Sequence, residues 1–204
     1  AINDNDWQKS IDNNAKIIIQ NLNIKPFVRS LGMEQILTEG SINGSIDIED
    51  ISYNPFATFN LNSNNMKMGT DSIGLVKALG TYDFSNNNIQ LDYPSGISYK
   101  NDGAYVNGKL NLNINSDEFI DGKIDFKNAH VTWLRPILDP YVSDATGFID
   151  GSIDIKGSAN APQTNGQVTL NQVSMTPIIT GVTYTIKQSE VNITPHKIDI
   201  GTLE

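Results

Sequence analysis

GFIDGSIDIKG, residues 147–157, decides how this chain folds, because nearly the same words stand at residues 40–50 as GSINGSIDIED. Seven of the eleven positions are identical, at an offset of 107 residues. In both copies the apolar residues take every second position. Ile42, Gly44, Ile46 and Ile48 match Ile149, Gly151, Ile153 and Ile155. Between them lie Asn43, Ser45, Asp47 and Glu49, matching Asp150, Ser152, Asp154 and Lys156. Period-two alternation predicts a strand with one dry face and one wet face.

The same period runs through most of the chain. AYVNGKLNLNIN, residues 104–115, puts Ala104, Val106, Gly108, Leu110, Leu112 and Ile114 on one face and Asn107, Lys109, Asn111, Asn113 and Asn115 on the other. Shorter runs carry Ile124 and Phe126, Ile89 and Leu91, Tyr184 and Ile186, Val191 and Ile193, and Ile198 and Ile200.

The repeat also extends beyond the opening words. AKIIIQN at 15–21 lies 107 residues before GKIDFKN at 122–128, and Pro55, Met68 and Gly74 lie 107 before Pro162, Met175 and Gly181. The offset then falls to 102, matching TYDF at 81–84 with TYTI at 183–186. These matches predict one continuous segment, 1–204, built of two long units at about 8–114 and 115–204. We read it as a fragment of a longer protein. Apolar parity flips between Leu170 and Val173 and again between Leu61 and Met66. A β-bulge at each place would do this, bending both units alike.

Two stretches break the alternation. IKPFVRSLGMEQILTEG carries Pro26 at a first-turn position, Gly40 at its stop and an apolar side of Phe27, Leu31, Ile36 and Leu37. VTWLRPILDPYVSDATG, with Pro136 and Pro140, is its shorter or kinked partner, running to Gly147. Helical segments are expected near 25–39 and 131–142. The expected fold is all-β: an elongated, curved, antiparallel-rich sheet whose one apolar face either closes on itself or lines a trough.

Composition narrows the function. A net charge of −9 argues against nucleic acid, whose phosphates need clustered Lys and Arg. Without cysteine there are no disulfides and no thiolate metal sites. His130 and His196 are the only histidines, and the acidic runs at 47–50 and 115–121 lack calcium-loop spacing. No nucleophile elbow, zinc motif, P-loop or dinucleotide fingerprint occurs. We expect no enzyme, no cofactor and no metal.

The stretch GFIDGSIDIKGSANAPQTNGQVTL, 147–170, followed by GVTYTIKQSEVNITPHKIDI, 181–200, resembles the repeat of the TamB family, the translocation and assembly module, which belongs with the AsmA-like proteins. Gly157, Pro162 and Gly166 supply the family's link between strands, and IKPFVRSL resembles the short helix before each strand set. The first copy departs from the pattern, with Asp50 and Phe59 where the second has glycines. The resemblance implies a β-taco, a long U-shaped groove with a hydrophobic interior. It implies a periplasmic location within an inner-membrane-anchored protein of a Gram-negative envelope. It further implies phospholipid transport and an outer-membrane barrel partner of the TamA/BamA type, which would bind a part of the protein not present in this middle section.

On that reading phospholipid acyl chains slide along Ile42, Ile46, Ile48, Leu110, Leu112, Ile114, Ile124, Phe126, Ile149, Ile153, Ile155, Val168, Leu170 and Ile186, with room left at Gly44 and Gly151. Two rivals make different demands. A chaperone-like factor for outer-membrane protein assembly would hold client strands in the same trough or at a sheet edge. A structural or adhesive β-repeat module would seal its apolar faces.

Overall fold

The computed structural model describes residues 13–30, 39–68, 71–99, 103–134, 138, 141–158 and 161–199. Thirteen strands follow one another: β1 Ala15–Asn23, β2 Ser41–Glu49, β3 Phe56–Ser63, β4 Lys67–Met68, β5 Asp71–Ser72, β6 Leu75–Asp83, β7 Asn88–Ser98, β8 Tyr105–Asn113, β9 Ile120–His130, β10 Val142–Gly157, β11 Pro162–Pro177, β12 Tyr184–Thr194 and β13 Lys197–Asp199. All but β4 and β5 form one antiparallel sheet in chain order, and β4–β5 is a separate two-stranded hairpin. The sheet is open, with β1 and β13 at its ends. Its eleven strands span about 48 Å at the usual interstrand spacing.

A meander sends successive connections to alternate ends of the sheet. At one end the turns after β2, β6, β8, β10 and β12 are six residues or shorter. At the other end sit the long ones: helix α1 Lys25–Ser30 after β1, the β4–β5 hairpin after β3, and a 3-10 turn, Val131–Leu134, after β9. The two helical segments therefore lie where the alternation breaks. Residues 31–38, 135–137 and 139–140, which complete the expected helices, lie outside the described residues. One expectation is corrected: Val142–Thr146 is strand and not the tail of a helix. It pairs with β11, Val142 opposite Pro177 and Ala145 opposite Met175, because β11 is long enough to offer it backbone partners.

The offset of 107 reappears in the backbone. Positive φ angles occur at Asn21 and Asn128, Gly40 and Gly147, Gly44 and Gly151, Asp50 and Gly157, and Gly74 and Gly181, five pairs with that spacing. Asn21 and Asn128 sit at bulges, marked by register shifts between Ile19 and Leu22 and across the Asn128 position. The same clamp holds each bulge. Asn21 N–H donates to Asn43 Oδ1 at 2.9 Å, and Asn128 N–H to Asp150 Oδ1 at 3.0 Å. Together with a bulge at Tyr93–Pro94 in β7 and one at Gln172 in β11, these bends curve the sheet.

Two details of the expected repeat fail. The parity flip after Leu61 is no bulge, since β3 ends at Ser63 and the chain leaves the sheet for β4 and β5. The match at offset 102 is also not conformational. Tyr82 lies opposite Ala57 near the start of β3, whereas Tyr184 lies opposite Met175 near the end of β11.

Asp150 makes the second clamp titratable where Asn43 makes the first neutral. Burial pushes its carboxyl up. The Asn128 N–H, the Lys127 ammonium at 3.2 Å and the Asn171 amide at 3.1 Å outweigh that and hold it below the usual carboxylate range. A lowered folded pKa contributes stability that is present above the unfolded value, about 3.9, and is lost as pH falls through the folded one. Asp150→Asn keeps an acceptor for the bulge but loses the charge. We expect it to cost about 1 kcal/mol at neutral pH. Urea unfolding of both proteins should show that gap closing as the medium is acidified below the folded pKa of Asp150.

Candidate functional site

In an antiparallel pair, residues directly opposite each other point to the same side, so the register fixes which side chains share a face. One row reads Ile17, Ile46, Phe59, Gly80, Leu91, Leu110, Gly122, Ile155 across β1, β2, β3, β6, β7, β8, β9 and β10. Beside it runs Ile48, Ala57, Tyr82, Ile89, Leu112, Ile120. A third row, Gly108, Ile124, Ile153, Gly166, Ile193, Ile198, starts at β8 and carries the strip to β13. These rows join into one apolar strip, at right angles to the strands and lying towards the short-turn end of the sheet.

Among the described residues, Ile46, Ile48, Phe59, Leu91, Leu110, Leu112 and Ile155 pack against neither of the two buried clusters. Extensive packing joins strands adjacent in the sheet, and otherwise only the 3-10 turn to β9 and β10. Accordingly Ile46, Ile48, Phe59, Leu91, Leu110, Leu112, Ile124 and Ile155 are half-buried, neither wet nor sealed.

The opposite end is plugged. Ile24, Met66 and Ile73 from the crossovers pack with Ala104, Ala129 and Trp133, and Ile42, Val76, Ile97, Val106 and Phe126 lie against them. Trp133 stacks on Tyr99 at 5.3 Å between ring centres. A second cluster joins Val131 of the 3-10 turn to Ala145, Ile149, Val168, Val173, Ile186 and Val191.

The fourteen residues expected to line a groove therefore divide. Ile46, Ile48, Leu110, Leu112, Ile124 and Ile155 lie on the open strip. Ile149, Val168 and Ile186 are sealed, at 6%, 7% and 8% exposure. Ile42, Phe126 and Leu170 flank the plugged clusters, and Ile153, in the third row of the strip, packs against the second of them. Ile114 lies beyond β8 in a turn and is half exposed. The expectation missed Phe59, Tyr82 and Leu91. The alternation ATFNLN at 57–62 carries the signal for the first, and Ile89 and Leu91 read as an alternating run.

Gly44 and Gly151, where room was expected, bring neighbouring strands close together. A Cβ on Gly44 would sit 2.0 Å from the Asn60 carbonyl oxygen, and one on Gly151 2.4 Å from that of Gln167. Each glycine lets neighbouring backbones approach. Gly108 is different, because a Cβ there meets nothing closer than 3.4 Å.

Among the described residues no group of acidic or histidine side chains could hold a metal ion, and no helix is long and apolar enough to cross a membrane. Comparison with known proteins finds no match among curated proteins or solved structures. One family model does match, over residues 4–170: "TamB, N-terminal domain". The model describes the family's N-terminal domain, where the sequence reading expected a middle section. The match covers most of the chain and agrees with the open, all-β, single-sheet architecture; this protein belongs to the TamB family.

Proposed function

We propose that this chain is a segment of a hydrophobic groove that conducts phospholipids between the inner and outer membranes of a Gram-negative envelope. It would be one continuous segment made of two units, about 8–114 and 115–204. The whole protein would be anchored in the inner membrane, lie in the periplasm, and meet an outer-membrane barrel of the TamA/BamA type through another part of its length.

One observation carries the reading: among the described residues the apolar strip of Ile46, Leu91, Leu110, Leu112 and Ile124 is half-buried and packs against neither buried cluster. Apolar surface left wet costs about 25 cal/mol per Å², and acyl chains on the strip would remove that cost. Aliphatic side chains make no directional bonds to an acyl chain, so a lipid slides with little pinning, its head group in water. No step of chemistry is required of the protein.

The test is to purify the chain without detergent and identify what accompanies it, by native mass spectrometry and lipid extraction. Stoichiometric phospholipid is the expected result. A lipid-free chain whose strip resists apolar dyes would sink the conduit. Cross-links to unfolded outer-membrane protein in place of lipid would move the assembly-factor reading ahead.

A further inference from the structure

The polar face carries a depression of about 770 Å³, within the range of roughly 300–1,000 Å³ usual for ligand pockets. Of the fourteen expected groove residues only Leu110 borders it. Its floor is two rows of directly opposed side chains. The first is Gln90, Asn111, Asp121, Lys156, Gln163. The second is Lys109, Lys123, Asp154, Asn165. Five strands, β7 to β11, make the floor about 19 Å wide. Tyr93, held by a hydrogen bond from its hydroxyl to Asp125, stands at one side, and Pro195 at the other.

We propose that this depression binds a short, uncharged oligosaccharide. Charge argues against an ion. Lys156 lies 3.6 Å from Asp121, Lys123 3.6 Å from Asp125 and directly opposite Asp154, and Lys109 3.8 Å from Asp92. Each ammonium thus has its own carboxylate, and an incoming phosphate would meet Asp121 and Asp154. Uncharged carboxamides occupy the margins, Gln90 and Asn111 on one side, Gln163 and Asn165 on the other. A primary amide offers donors and an acceptor in one plane, which suits neighbouring hydroxyls that donate and accept in turn. The aliphatic stems of the lysines give the C–H face of a sugar ring a surface to lie on. The floor side chains lie on the face opposite the apolar strip, of which only Leu110 and Gly122 border the depression, so sugar binding is separable from lipid conduction by substitutions on the polar face.

The test is to titrate the chain with cellotetraose and chitotetraose and follow the side-chain amide signals of Gln90, Asn111, Gln163 and Asn165 by NMR. Saturable shifts with a Kd near or below about 1 mM are expected, insensitive to salt. Asn111→Ala combined with Gln163→Ala, both at exposed positions, should weaken binding about tenfold while the melting temperature and the lipid content stay unchanged. Absence of saturable shifts with either sugar overturns the proposal. So does tight, steeply salt-dependent binding of inorganic phosphate at the same signals.

Discussion

Leu112→Asp is expected to yield a folded protein that no longer retains phospholipid, whereas Val173→Asp is expected to yield no stable fold. Both residues are apolar, on strands of the same sheet, but they sit in different surroundings. Leu112 is half-buried on the open strip, between Ile89 and Ile120. A carboxylate there keeps much of its hydration, so the loss is the leucine's partial burial, about 1–2 kcal/mol. On the proposed function it would also set a charge against the acyl chains. Val173 is 1% exposed, beneath Ile186 and among the cluster the 3-10 turn closes. An unpaired carboxylate there has no water and no cation, which places its cost above about 4 kcal/mol. That is a large part of the roughly 5–15 kcal/mol that holds a domain together. Urea unfolding and lipid extraction on the two variants separate the roles. If Leu112→Asp kept its lipid, the strip would not be the conduit. If Val173→Asp folded normally, the sealed and open halves would not differ as described.

The division between those halves is what the sequence conceals. Alternation in GFIDGSIDIKG and in GKLNLN is equally clean, yet in the first Ile149 is sealed while Ile155 lies on the open strip, and in the second Leu110 and Leu112 both lie on the strip. The difference comes from which strand ends receive the long crossovers, a property of the meander as a whole. The face of each strand is legible, because period two leaves no choice of side. The repeat is legible too, and the positive φ angles at Asn21 and Asn128 and at Asp50 and Gly157 extend it into the backbone. Asp50 keeps a positive φ where the second copy has glycine, so the first copy departs from the family pattern in residue type but not in the sign of φ. Parity flips are ambiguous. A bulge within a ladder, as at Gln172, and a chain leaving the sheet, as after Ser63, shift the apolar positions in the same way. SDATG at 143–147 reads as the end of the second helical segment because it breaks the alternation, but the partner strand overrides that local preference.

Glycines on the apolar face are the sharpest case, and they give the other large effect. Gly44→Val is expected to destabilise the protein by about 3 kcal/mol or more, and Gly108→Val by less than about 1 kcal/mol. At Gly44, φ is +145° and the new Cβ would fall 2.0 Å from the Asn60 carbonyl oxygen. The strands must separate, losing ladder hydrogen bonds as well as taking a strained backbone. Gly151, its counterpart 107 residues on, has φ +128° and a gap of 2.4 Å to Gln167, so Gly151→Val should behave alike. At Gly108 the nearest atoms to a Cβ are the Lys123 carbonyl oxygen at 3.4 Å, Leu110 at 3.6 Å and Ile124 at 3.8 Å, all ordinary contacts. A valine fits there without moving the backbone and restricts the unfolded chain, which offsets part of any loss. It also fills a gap beside Leu110 and Ile124 on the open strip. Thermal melts measure the first contrast, and lipid content per chain the second. Gly108→Val should keep its melting temperature and, on the proposed function, carry less phospholipid, because the valine takes space on the strip. Undiminished lipid in that variant would mean that acyl chains, if bound, do not run over β8.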